Sequence, residues 1–145
     1  MIDIDFINNI LADMWNFHMV LSGIMLSVCT LLYSFVLNKR DVLLMLTHEI
    51  KSEKQNPIIR QKEKRALNYI RKMRKLNIKC FCVFVANCLI EIVSWVTLRL
   101  ISDENLLLKQ WIMFSLAVLT MCVCVYAIIL LIQICVNYRH EVQVE

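Results

Sequence analysis

Glu91 is the residue whose position in this sequence points most directly to a function. It is the only formal charge well inside an apolar run, residues 80–100, that is long enough to cross a membrane. An acidic side chain near the bilayer centre costs about 2.5–3.5 kcal/mol to insert, so Glu91 should face a partner or water. It either holds helices together as a protonated, hydrogen-bonded group, or lines a cation-favouring pore as a ring of carboxylates in a homo-oligomer.

Asn87 and Ser94 lie on the same predicted helix face as Glu91, because residues three or four positions apart share a face. A polar face inside a span is the inverse of a lipid-facing stripe, so it must point at protein or water. His18 and Ser22 share a face of the preceding apolar run, where Ser22 is predicted to lie level with Glu91. His18 is interpreted either as a partner of Glu91 or as a histidine at the membrane interface without a functional role. These five residues are the predicted intramembrane polar face.

A polar face is also expected on the third apolar run. Residues at helical spacing share one side of a helix, and four polar or weakly polar side chains in this run have that spacing: Ser115, Cys122, Tyr126 and Gln133.

The sequence predicts no enzyme, no metal site and no cofactor. Its three histidines, His18, His48 and His140, form no H-E-x-x-H motif, and the single glycine excludes a Gly-rich phosphate loop. The seven cysteines are odd in number, lie inside or at the edge of apolar runs and lack zinc-site spacing. We expect them to behave as small apolar side chains.

Composition predicts an all-α membrane protein. Hydrophobic residues make up 59% of the chain, and one Gly with one Pro leaves few turn sites for a strand-rich fold. The N-terminal segment contains no Lys or Arg, so it is not the basic region of a cleaved signal peptide; it is either an interfacial helix or a helical lead-in to the first span. The predicted organisation is an outer segment 1–13, transmembrane helix 14–37, cytoplasmic segment 38–79, transmembrane helix 80–100, outer loop 101–110, transmembrane helix 111–136 and cytoplasmic tail 137–145.

Positive charge sets the predicted orientation. Thirteen of the 16 Lys and Arg residues lie in segment 38–79, and basic residues near spans are retained on the cytoplasmic side. Trp15, Trp95 and Trp111 all fall near the predicted outer face, where indole rings prefer to lie. We therefore expect a multi-pass protein of the bacterial inner (plasma) membrane with its N-terminus outside and its C-terminus in the cytoplasm.

Segment 38–79 is predicted to form a cytoplasmic antiparallel helical hairpin that extends the first two membrane helices. Asn56 and Pro57 favour a turn and disfavour helix before the proline. Helical arms of nearly equal length flank this turn. Apolar stripes on the two arms are expected to face each other: Val42, Leu43, Leu46 and Ile50 on the first, and Ile59, Ala66, Ile70 and Met73 on the second.

The basic cytoplasmic surface of this hairpin falls into two clusters. The proximal cluster suits anionic lipid headgroups, an interaction worth about 1 kcal/mol per residue near the membrane surface. The distal cluster lies farther out if the hairpin stands upright, which leaves an acidic protein, a nucleotide signal or RNA as partners. RNA is the weaker candidate because few aromatic residues interleave with the charges. The distal cluster is Arg60, Lys62, Lys64 and Arg65, and the proximal cluster is Arg71, Lys72, Arg74, Lys75 and Lys79.

Three spans with the N-terminus outside match the topology of three-span phage holins. With its long basic hairpin, the layout looks more like the small membrane effectors and accessory proteins of bacterial anti-phage defence, including membrane accessories of RNA-targeting CRISPR systems. That resemblance implies a homo-oligomeric pore or ion channel that dissipates the membrane potential beneath a basic cytoplasmic vestibule. Two other functions stay open: a non-conducting scaffold that recruits a cytoplasmic partner through the hairpin, and a holin-like lysis protein.

Overall fold

The computed structural model is helical over almost all of the residues that it describes. These are residues 4–52, 57–102 and 105–142, with side chains described for 4–48, 57–102 and 105–139. Each helix in this part of the chain is long and apolar enough to cross a membrane. The prediction of an all-α chain with three membrane-length helices is therefore confirmed, and the chain is consistent with a multi-pass membrane protein. The helices are α1 (Ile4–Ser52), α2 (Pro57–Leu100) and α3 (Leu106–Val142).

Helix α1 has no break between the N-terminal segment and the first predicted span. The structure therefore has the helical lead-in and not a separate interfacial helix. Asp5 lies in the first turn, where a negative charge interacts favourably with the helix dipole. Ile7 and Leu11 have no exposed surface, so this lead-in contributes to the protein core.

Helix α2 begins at the only proline of the chain. Pro57 is its first residue, a position where the missing N–H removes no hydrogen bond and the fixed φ angle suits the helix. Helix α1 ends at Ser52. The predicted turn itself falls on residues 53–56, which lie outside the described residues.

Helix α3 is longer than the predicted third span at both ends. It begins at Leu106, inside the predicted outer loop, because the backbone N–H of Lys109 already bonds to the carbonyl of Asn105 over 3.1 Å. Helix α3 continues to Val142. The polar residues that follow the third apolar run are compatible with an α-helix, so they do not end it. The boundaries predicted for the third span were placed where the sequence changes from apolar to polar. Such a change marks the end of a membrane span, but an α-helix can continue through it.

The chain divides into two compact units, unit 1 with residues 1–26 and 80–145 and unit 2 with residues 27–79. Each helix places apolar side chains into the core of unit 1, where burial away from water or lipid favours close packing. The central cluster consists of Ile7 and Leu11 from α1, Ile90 from α2, and Met113 and Leu116 from α3.

In unit 2, segments of α1 and α2 lie against each other. The Lys39 Nζ is 5.6 Å from the centre of the Tyr69 ring, within the distance of a cation–π interaction. Tyr69 is 8% exposed and Met73 is 1% exposed. An aromatic ring buried on one arm thus meets the ammonium group of the other.

Val42 does not belong to the apolar stripe in which it is expected. Its side chain is 41% exposed, whereas Leu43 and Leu46 are half-buried. Lys39, Leu43 and Leu46 have four- and three-residue spacing and share the face that meets α2, and Val42 lies about 100° away from Leu43 around the helix. The predicted position of Ile50 falls outside the described side chains.

Candidate functional site

A fully buried histidine joins the three helices of unit 1. His18 of α1 has no exposed surface. Its Nδ1 lies 2.8 Å from Oδ1 of Asn87 on α2, and its Nε2 lies 2.8 Å from Oγ1 of Thr120 on α3. Because both ring nitrogens are engaged, His18 is not available as a base or a metal ligand, and it instead fixes the rotation of the three helices against one another.

The Thr120 hydroxyl connects this histidine to the backbone of α3. It donates to the carbonyl oxygen of Leu116 over 2.8 Å, a back-bond that threonine commonly forms within helices. A hydroxyl has one proton and two lone pairs, so towards His18 it accepts a hydrogen bond from Nε2–H. Sequence reasoning missed Thr120, although its spacing from Met113 and Leu116 on one helix face was a usable signal.

Asn87 and Ser94 both lie inside unit 1 with no exposed surface. The side-chain amide of Asn87 is hydrogen-bonded to His18 Nδ1, whereas the Oγ of Ser94 has no hydrogen-bond partner in the described part of the chain. A buried polar group without a partner costs about 1–3 kcal/mol. These two residues therefore face the interior of unit 1, and Ser94 leaves its hydroxyl without a partner there.

Ser22 is predicted to lie level with Glu91 but is found beside Cys88. The Cys88 Sγ is 3.9 Å from the Ser22 Oγ, a weak S–H···O contact, and Ser22 is 7% exposed. Because Cys88 precedes Glu91 by three residues, α1 is displaced along α2 by about one helical turn relative to the expected register.

Glu91 is half-buried and lies on the side of α2 that faces α1. This placement follows from its spacing, since Asn87 and Cys88, four and three residues earlier, both contact α1. Among the described residues, Glu91 forms no hydrogen bond or ion pair. The suggested contact with His18 is wrong, because the two nitrogens of His18 bind Asn87 and Thr120. Whether His18 lies at the membrane interface, its other interpretation, stays a prediction.

Lys109 is a second polar group that the sequence did not reveal. It is 1% exposed, and its Nζ donates to the Oδ1 of Asn8 over 3.1 Å. The sequence placed Lys109 in the outer loop. Since α3 begins earlier, Lys109 instead falls on the same helix face as Met113 and Leu116, and its alkyl stem is carried into the core.

The polar face expected on α3 is not the face that packs into unit 1. Its four members are exposed: Ser115, Cys122, Tyr126 and Gln133. The Ser115 hydroxyl donates to the backbone carbonyl of Trp111 over 2.9 Å, so it is satisfied within its own helix. The face of α3 that is buried carries Lys109, Met113, Leu116, Ala127 and Leu130.

An apolar groove of about 480 Å³ lies between α2 and α3 in unit 1. Ser115, whose hydroxyl is already used, is the one polar lining residue. The groove is therefore lined almost entirely by apolar side chains. The other lining residues are Ala86, Leu89, Ile90, Val93, Trp111, Ile112, Leu116, Leu119 and Val123.

All nine basic residues of the distal and proximal clusters are exposed. None of their side chains forms an ion pair with another described residue. Glu63, the one acidic residue among them in sequence, is half-buried. The exposed surface of this part of α2 therefore carries uncompensated positive charge, which attracts anions.

No group of three or more His, Cys, Asp or Glu side chains in the described part of the chain is placed to hold a metal ion. Comparisons with protein-family models, with curated proteins and with solved structures found no match to this chain.

Proposed function

We propose that this chain forms a homo-oligomeric membrane channel in which Glu91 lies at the contact between subunits and favours cations. The observation that carries the proposal is the state of Glu91: an acidic side chain in a helix long and apolar enough to cross a membrane, half-buried, with no partner among the described residues of its own chain. Such a group is stable in a bilayer only when it faces another polar group or water. A neighbouring copy of the chain would supply the polar group, and a water-filled conduit would supply the water.

The other members of the polar face have a different role in this proposal. His18, Asn87 and Ser94 have no exposed surface and Ser22 has little, so they hold the subunit together and do not line the conduit. The pore-lining set expected from the sequence is thereby reduced to Glu91. A rigid subunit core also suits a channel, because it keeps the Glu91 side chains of the ring at a fixed depth.

Segment 38–79 forms the basic cytoplasmic vestibule of the proposed channel, in the bacterial inner membrane with the N-terminus outside. The exposed clusters support this role, because positive charge above an acidic ring makes conduction sensitive to charge at both levels. The proximal cluster contacts anionic lipid headgroups, and the distal cluster binds an acidic trigger. Opening would dissipate the membrane potential, an activity suited to anti-phage defence.

Membrane depolarisation upon expression tests the proposal. Cells that produce the native chain should lose the signal of a potential-sensitive dye, whereas Glu91→Gln and Glu91→Ala should reduce that loss about tenfold or more. Glu91→Asp, which keeps the charge, serves as the matched control and should retain most of the effect. Equal depolarisation by all four proteins would exclude Glu91 from the conduit.

A non-conducting scaffold is the second candidate, and the uncompensated charge of the two basic clusters favours it. In that function, the helices of unit 1 anchor the chain, and the distal cluster recruits a cytoplasmic partner. Reversal of the distal charges, with Glu at Arg60, Lys62, Lys64 and Arg65, should abolish pull-down of the partner without affecting membrane insertion. No depolarisation by the native chain, together with a recovered partner, would establish the scaffold in place of the channel.

A further inference from the structure

Two polar side chains of α3 are exposed on the face that does not pack into unit 1. Tyr126 and Gln133 form no hydrogen bond or ion pair with any described residue, and both lie in a helix that is long and apolar enough to cross a membrane. Tyr126 is 43% exposed and lies ten residues before the end of the predicted span 111–136, about 15 Å along the helix axis. A hydroxyl or amide that faces lipid has no water to bond to, so each needs a partner outside its own chain.

These two residues belong to a line of side chains with the spacing of a helix–helix contact, which we call the α3 seam. Its members are separated alternately by four and three residues, the heptad pattern in which the side chains of one helix pack between those of a parallel helix. All of them are exposed, so the whole seam is open to a partner. The α3 seam consists of Ser115, Leu119, Cys122, Tyr126, Ile129, Gln133 and Val136.

A second copy of the chain is the partner that the polar groups of the α3 seam fit. Basic residues give every copy the same orientation in the membrane, so a neighbouring α3 is parallel and presents each residue at the depth of its own counterpart. A tyrosine hydroxyl and a glutamine amide each contain both a donor and an acceptor. Each can therefore pair with an identical group, and Tyr126 and Gln133 are one heptad apart, so both pairs form in the same register.

We infer that the α3 seam is a contact surface between copies of this chain, in which Tyr126 and Gln133 are each hydrogen-bonded to the same residue of the neighbouring copy. The apolar members of the seam pack around these two pairs and shield them from lipid. Glu91 lies on another helix, so the seam is separate from the contact proposed for Glu91. This inference rests on the proposed function for the membrane and for the presence of several copies, but not for conduction.

Oxidative cross-linking of native cysteines tests this contact in the full-length chain. Cys122 lies on the α3 seam, whereas Cys135 is exposed on the same helix but lies about 140° away from Cys122 around it. Copper phenanthroline with oxygen, added to membranes that contain the protein, should give a species of twice the chain mass that is lost on reduction. Cys122→Ala should remove most of this species, and the matched control Cys135→Ala should leave it unchanged. Equal amounts in the two variants, no linked species from the native chain, or linkage of Cys122 to a different protein would overturn the inference.

Removal of the polar groups tests the two hydrogen-bonded pairs. Association of copies labelled at the N-terminus is measured in liposomes by energy transfer over a range of protein-to-lipid ratios. Tyr126→Phe and Gln133→Leu should each weaken this association about threefold to tenfold, the effect of one interhelical hydrogen bond in a membrane. Tyr138→Phe is the matched control, because Tyr138 is 51% exposed on α3 but lies about 140° from Gln133 around the helix, and its association should equal that of the native chain. Equal association of the native chain, Tyr126→Phe and Gln133→Leu would overturn the pairing.

The two proposals fail in different ways. Cross-linking through Cys122 without ion flux would remove the channel and keep the α3 seam as a contact between copies. Ion flux that depends on Glu91, with no cross-linking through Cys122, would keep the channel and remove the α3 seam.

Discussion

The two halves of α2 differ in the side chains that they bury and expose. In its N-terminal half, Lys and Arg side chains are exposed, whereas Ala66, Tyr69 and Met73 are buried. In its C-terminal half, the polar Asn87 and Ser94 are buried beside the apolar Val83 and Ile90, whereas other large apolar side chains such as Leu89 and Ile92 are more than half exposed. Along this one helix, the exposed side chains change from charged to apolar, and polar side chains join apolar ones on the buried face.

Water around the N-terminal half and lipid around the C-terminal half would account for this change. In water, apolar burial drives helix packing and charged groups stay outside. In a bilayer, lipid is as apolar as the packed side chains, so polar groups gain most by meeting each other inside the bundle. The periodicity of the two halves is the same, because both follow the geometry of the α-helix. The residues on each face are therefore those expected of one half in water and one half in lipid.

A lysine placed on the exposed face of each half of α2 should give the largest difference in free energy between the two halves. Ile92→Lys adds a charge within the apolar half, at a side chain that is 57% exposed, and should raise the free energy of insertion by about 3–4 kcal/mol, since the favourable contribution of Ile is lost as well. Ile58→Lys makes the same change in the basic half, where the native side chain is 62% exposed, and should alter stability by less than about 0.5 kcal/mol. A glycosylation-reporter insertion assay measures the first effect, and thermal unfolding measures the second. Equal effects at the two positions would contradict the assignment of the halves to lipid and water.

Removing the central polar contact of unit 1 should give the next largest effect. His18→Leu keeps the volume but leaves Asn87 and Thr120 without their shared partner, so the free energy of unfolding should fall by about 2 kcal/mol. Thermal unfolding of the purified protein in detergent measures this loss. Met19→Leu, at an adjacent and 48% exposed side chain, is the control and should unfold at the native temperature. A His18→Leu protein as stable as this control would show that the network contributes nothing to the fold.

The smallest effect concerns unit 2. Tyr69→Leu removes the ring beneath Lys39 while keeping an apolar side chain, and should reduce stability by about 0.5–1 kcal/mol. Tyr69→Phe keeps the ring and should retain the cation–π part of this contact, which a double-mutant cycle with Lys39→Gln isolates. A coupling energy near zero in that cycle would show that the two arms are held by apolar packing alone.

The sequence allowed the helices to be predicted but not the partners of their polar residues. Apolar runs and scarce Gly and Pro were sufficient for three long helices, because length and polarity decide that outcome locally. The contact of His18 with Asn87 and Thr120 depends on the register between helices, which no local pattern contains. A displacement of one turn separates the expected partner, Glu91, from the observed one, Asn87. Lys109 was missed for a related reason, since a charged residue near an apolar run predicts a loop unless the helix start is known.

The central claim is that Glu91 sets the charge of a conduit, and the reversal potential of single channels tests it most directly. Purified protein in a planar bilayer between unequal KCl concentrations should give a reversal potential near the cation equilibrium potential. Glu91→Gln should shift it towards zero, and Glu91→Lys should shift it towards the anion equilibrium potential. The same reversal potential for all three proteins, or no current from the native chain, would contradict the account.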